Sequence, residues 1–186
     1  MSIIPSASIF YHTHRFIKQH HYLSPEPAND FAYWIKGSLN LKKLAENLAS
    51  IDTVSYSSLR ELREEILRVL KLYIKENKQD CLKPCEKGDE FYFKSCQTFV
   101  ISTQMIATNL YEFYEIIKNI DINSIYFHMF DARLRLKTNE NDFTLWLKEQ
   151  GYENLSKKIL KFDPYTMTLE NLRIKLMKFI EMELKR

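Results

Sequence analysis

The chain has 186 residues, of which 45% are hydrophobic and 27% charged, with 27 basic against 24 acidic side chains. That composition excludes a disordered chain, and no apolar run approaches the roughly 20 residues of a membrane helix. Three glycines, against a usual share of about 7%, exclude the glycine-rich phosphate loops of Rossmann and P-loop folds and most all-β designs.

The predicted elements follow in chain order. A first helix is expected near 8–20. Shorter ones fit 30–37, opened by Asn29-Asp30, and 40–50. The longest helical pattern runs over 58–77. Ser58 and Glu61 have the spacing of a capping box, and Leu62, Ile66, Val69, Leu70 and Tyr73 supply the apolar face. Residues 78–98 read as irregular, with a short strand at Glu90-Phe-Tyr-Phe93. Helical periodicity returns over 101–119, where Met105, Phe113 and Ile117 share a side, and over 123–137, where Ser124 is the expected N-cap. Helices then fit 142–149, 152–161 and 168–185, and Asp163-Pro164 resembles a helix start.

The sequence repeats itself. Ser8-Ile-Phe-Tyr-His12 returns as Ser124-Ile-Tyr-Phe-His128, and Asn29-Asp-Phe-Ala-Tyr-Trp34 returns as Asn141-Asp-Phe-Thr-Leu-Trp146. Asp52 and Asp163 match, as do Arg63 and Arg173. The offset falls from 116 at the histidines to 112 at Asp30/Asp142, 111 at the next aspartates and 110 at the arginines, so it changes only between blocks. The expected fold is an all-α irregular bundle of seven to nine helices built from two related units. It forms one domain over 1–186, with unit one at about 8–77, an irregular connector at about 78–98 and unit two at about 99–186.

The repeated polar residues are the candidate site: His12, Asp30 and Trp34 in the first unit, and His128, Asn141, Asp142 and Trp146 in the second, with Arg135 beside them. A bland reading explains much of the set. Asn-Asp ahead of Phe-x-x-Trp is a helix start, with the two rings facing the core together. Arg63 and Arg173 are expected to pair with Asp52 and Asp163. Asp131 and Arg135 have the i, i+4 spacing of a helix salt bridge, with an anion site on Arg133 and Arg135 as the other use. His12-x-His14 and His20-His21 read as exposed.

Chemistry-bearing motifs are sparse. There is no His-Glu-x-x-His, no Glu-x-x-His and no Gly-x-Ser-x-Gly, and no catalytic set is complete. Cys81, Cys85 and Cys96 form one zinc-like pair and a lone third thiol, a weak metal candidate without a second pair. An odd cysteine count and the absence of a basic, apolar leader point to a cytoplasmic protein with reduced thiols. The net charge of +3 and a sequence pI of about 8.6 speak against nucleic acid as a partner, and an RNA-binding reading would need Lys and Arg on one face.

Taken in order, Ser124-Ile-Tyr-Phe-His128, Asp131-Ala-Arg-Leu-Arg135, Asn141-Asp-Phe-x-x-Trp-Leu147 and Phe162-Asp-Pro-Tyr-x-x-x-Leu-Glu-x-Leu-Arg173 resemble the helical prokaryotic domain of unknown function catalogued as family 5752. The resemblance covers most of the chain and is strongest over 90–175. It implies a helical, soluble protein and carries no reaction, cofactor or partner. The first copy departs from it by lacking the Asp-x-Arg-x-Arg and Asp-Pro segments, so the second is the better place for a site. The expectation is a non-enzymatic module that binds a protein or a small molecule, without a cofactor or a membrane. The alternative is a metal-dependent phosphate-ester hydrolase using His128, Asp142, His12 and Asp30.

Overall fold

The computed structural model describes residues 3–19, 28–138, 140–163 and 166–186, and only the backbone of residues 16–19 and 135. Among the described residues there are nine helices and no strands. They are α1 (Ser6–Gln19), α2 (Asp30–Gly37), α3 (Lys42–Ala49), α4 (Leu59–Glu76), α5 (Leu110–Asn119), α6, α7 (Asp142–Glu149), α8 (Glu153–Ile159) and α9 (Leu169–Leu184). Helix α6 begins as Ile122–Tyr126, widens into a π-helical turn over Phe127–Asp131 and ends as Ala132–Leu136. A single 3₁₀ turn, Asp80–Leu82, follows α4. None of the described helices is long and apolar enough to cross a membrane.

Short polar side chains start these helices as the sequence leads one to expect. Asn29 accepts from the Ala32 N–H, Ser58 from Glu61 and Asn109 from Glu112. Asn141 and Thr144 form a reciprocal capping box. Each such cap satisfies an otherwise orphaned donor, typically about 1 kcal/mol. At α4 the box is replaced: the Glu61 carboxylate takes its bond from the Ser57 hydroxyl. Helix α7 ends at Gly151, whose φ of +85° favours glycine. The Gly151 and Tyr152 N–H groups close a Schellman turn on the Lys148 and Leu147 carbonyls.

Three expectations change. The helix expected over 101–119 begins only at Leu110. Upstream lies a β-branched, hydroxyl-rich run, Gln104 has φ of +61°, and Thr108 and Asn109 both engage Glu112 to cap the helix there. Met105 and Ile106 are therefore exposed. Helix α6 is capped by Asp121 in place of Ser124, which lies inside it. Helix α9 starts after Thr168, five residues beyond Asp163, and Pro164 lies outside the described residues.

The chain divides into two compact units, the first reaching to Gln97 and the second running from Thr98 to Arg186. In the first, α1 packs on α2 and α4, and α3 on α2 and α4. Ile9, Phe31, Ile35, Leu44, Leu48, Leu62 and Ile66 form its core. Residues 78–97, expected as a connector, belong to this unit, because Phe91 packs against that core. In the second, α5 and α8 pack on α9, α7 on α8 and on the π turn. Phe113, Ile117, Ile125, Met129, Phe130, Leu147, Ile159, Leu172 and Leu176 are buried there. Burying each such side chain contributes about 1.5–3 kcal/mol.

One arginine ties down each unit, though not through the expected aspartates. Arg63 on α4 donates to the Ile4 carbonyl at 2.8 Å and to the Ser6 hydroxyl. Arg173 on α9 donates to the Ile117 and Lys118 carbonyls and pairs with Glu170. At the C-terminal end of α5 the Arg173 guanidinium satisfies carbonyls that have no partner within the helix.

Candidate functional site

The two sequence repeats build the same pair of side chains. On α1, His12 Nδ1 lies 2.8 Å from Asp30 Oδ2, the first residue of α2. On α6, His128 Nδ1 lies 2.7 Å from Asp142 Oδ2, the first residue of α7. The Asn-Asp helix start explains this placement. The asparagine caps the helix, and the aspartate, in its first turn, projects beside the cap toward the histidine helix. The ring one position further, Phe31 or Phe143, supports the imidazole at 5.3 Å in both units.

Carboxylate contact with Nδ1 fixes the proton there and leaves the Nε2 lone pair outward. What happens at Nε2 separates the units. In the first, the backbone N–H of Lys94 donates to His12 Nε2 at 2.9 Å. This bond arises because residues 89–94 lie extended across α1 and α2. The Trp34 indole N–H donates to the Asp89 carbonyl at 2.5 Å, and Phe91 packs 4.8 Å from His12, 5.3 Å from Phe31 and 5.5 Å from Trp34. Phe93 stands edge-on to His12 at 6.2 Å. The expected strand at 90–93 is this arm, which pairs with no other strand. The His12 side chain keeps only 4% of its surface.

In the second unit Phe113 of α5 takes the place of Phe91. It stacks on Trp146 at 4.8 Å and 17°, and meets Phe143 edge-on at 5.3 Å. Among the described residues no segment takes the place of Phe93 and Lys94. Among the described residues His128 Nε2 has no hydrogen-bond partner, and the side chain is 37% exposed. His128 also lies within the π turn, where Ala132 bonds back five residues to the Phe127 carbonyl, whereas His12 lies on a regular helix. Such turns are rare and recur at functional sites. The buried Asn141 amide nitrogen has no partner among the described residues, while that of Asn29 donates to the Leu48 carbonyl at 3.0 Å.

Several sequence expectations are corrected. His12 and His14 are both buried, because α1 is covered on more than one side. Thr13 donates its hydroxyl proton to the Ile9 carbonyl, so its oxygen accepts from His14 Nδ1–H at 2.8 Å. Phe10 stacks on the His14 ring. Desolvation lowers the His14 pKa to about 4. His20 and His21 lie outside the described residues, as does the side chain of Arg135. Cys81, Cys85 and Cys96 form no disulfide. Cys81 lies on the 3₁₀ turn, Cys85 follows it, and Cys96 meets the Ala7 carbonyl. No three His, Cys, Asp or Glu side chains among the described residues gather as metal ligands. Among the described residues neither His–Asp pair therefore has the third ligand that the hydrolase alternative needs. The arm over His12, the open Nε2 of His128 and the π turn were not foreseen.

The chain belongs to the family described as "Family of unknown function (DUF5752)", whose model matches residues 1–181. No curated protein matches it. Among solved structures it is similar to OrfY from Thermoproteus tenax, with a TM-score of 0.80 and 26% identity over 97% of this chain and 81% of that one.

Proposed function

We propose that this member of a family of unknown function is a binding module working by recognition and not by turnover, with its site on the second unit. One observation carries the reading: Asp142 orients the His128 imidazole so that Nε2 can serve as a hydrogen-bond acceptor, and among the described residues no donor meets it. At the matching place in the first unit a main-chain N–H and an aromatic side chain meet His12. The ligand class that fits is therefore an extended peptide segment, offering one N–H and one ring. His128, Asn141, Asp142, Trp146 and Arg135 belong to this site. His12, Asp30 and Trp34 hold the closed, structural version of it. The reading takes the two units as copies of one helical element within one functional chain, supported by the matched caps, His–Asp pairs and arginines. Three cysteines that form no disulfide fit a reducing compartment such as the cytoplasm.

The test uses a synthetic peptide of residues 88–97, Gly88-Asp-Glu-Phe-Tyr-Phe-Lys-Ser-Cys-Gln97. It is titrated into a Trp34→Phe protein, in which Trp146 is the remaining indole. Saturable quenching is expected, weakened at least about tenfold by His128→Ala, the effect of losing roughly 1.4 kcal/mol. Peptide binding also protects His128 from diethyl pyrocarbonate. No binding, or binding indifferent to His128, overturns the reading.

A further inference from the structure

Between Lys94 and Glu112 the chain carries no charged residue, although charged residues make up 27% of the whole. Within this stretch residues 98–107 have neither helical nor strand structure. Phe99 and Ile101 are 81% and 83% exposed, and Val100, Met105 and Ile106 are exposed as well. An open, uncharged run of aromatic and β-branched residues without proline is a template for pairing with another chain. Exposed apolar surface on this scale marks an interaction site.

The first unit shows how this chain seats such a segment. Phe93 stands edge-on to His12, and the N–H of the next residue enters Nε2. In the second unit, with Phe113 already in the place of Phe91, the vacant seat takes one aromatic residue followed by one N–H. Phe99-Val100 is that dipeptide. It does not take the seat within its own chain, since Phe99 stands exposed while His128 Nε2 is open.

Resting on the peptide-binding reading above, we propose that the segment over residues 98–106 of a second copy of this chain occupies the His128–Asp142 site. Phe99 lies against the imidazole and the Val100 N–H donates to Nε2. Both halves of the contact are carried by one sequence, so a two-fold exchange satisfies two arms and two acceptors and closes on itself. With one unfilled acceptor and one uncharged, unattached arm among the described residues, no third component is needed to cover either.

The full chain is examined by sedimentation equilibrium over about 1–100 µM, the range in which a moderate dimer dissociates. A dimer is expected. Phe99→Ser with Ile101→Ser, both on exposed side chains, and separately His128→Ala, are each expected to weaken it at least tenfold with an unchanged helical circular-dichroism spectrum. His128→Gln, which keeps an acceptor, retains part of it. A monomer throughout the range, or a dimer indifferent to all these variants, overturns the proposal. A monomer that still binds the 88–97 peptide through His128 removes the second copy as occupant and leaves the binding site standing. Loss of both removes the binding reading as well.

Discussion

His12 and His128 stand at the same step of matched helices, each held by an aspartate from the first turn of the next helix and backed by a phenylalanine at 5.3 Å. Around them the molecule makes opposite choices. In the first unit the arm at residues 89–94 buries the histidine and fills its acceptor. The second draws its covering ring from α5, ahead of the pair, and among the described residues nothing fills the acceptor. The same local geometry thus serves as a packed joint in one unit and as an open surface in the other. What decides between them is which flanking segment lies across it.

The comparison is broken most sharply by removing the cover. Phe91→Ala deletes the ring that joins His12, Phe31 and Trp34, and is expected to cost about 3 kcal/mol in urea unfolding, near the low end for a large-to-small change. Tyr92→Ala, on an exposed neighbour, stays within about 0.5 kcal/mol. Equal losses at the two positions would mean that the arm does not hold the first unit.

A second contrast lies two residues beyond each histidine of the pairs, where α1 has buried His14 and α6 has buried Phe130. Burial lowers the His14 pKa to about 4 from 6.5, so the unfolded chain binds the proton more readily than the folded one. Its share of stability is complete above about pH 6.5 and declines as the pH falls toward 4. Between pH 7 and pH 5 the loss is about 2 kcal/mol. His14→Phe, which copies the second unit, is expected to remove that loss. A wild-type slope unchanged in the variant would refute the assignment.

The histidines themselves sharpen the comparison further. His12→Ala leaves the Lys94 N–H without its partner at a closed histidine, at about 2 kcal/mol. His128→Ala breaks a half-exposed pair and is expected to cost less than about 1 kcal/mol. The smallest contrast is at the caps. Asn29→Asp loses the bond from the side-chain amide to the Leu48 carbonyl, whereas Asn141→Asp loses none among the described residues. The first is expected to be worse by about 1 kcal/mol in thermal or urea unfolding.

The sequence exposes those features that are local. Caps at Asn29, Ser58 and Asn141 need only a polar side chain and the three residues after it, and the apolar faces of α4 and α9 need only a period of 3.6. The family was visible for the same reason, as ordered identities along the chain. The features set by distant residues were not. Lys94 is 82 residues from His12 and Trp34 is 55 from Asp89, and no spacing rule joins them. Arg63 and Arg173 turned to main-chain carbonyls, which every sequence possesses and none advertises. Periodicity over 101–107 was genuine but idle: without a neighbouring helix to bury it, a β-branched run has no reason to coil.

The uncharged stretch has a practical side. Trypsin requires lysine or arginine, and the chain offers neither between Lys94 and Lys118, so the most accessible segment of the second unit is invisible to that protease. Chymotrypsin, whose pocket takes aromatic side chains, finds Phe99 fully presented. The pair of enzymes therefore makes a footprinting assay out of the native chain. Resistance to the first reports only sequence, and resistance to the second reports that something has settled on the arm.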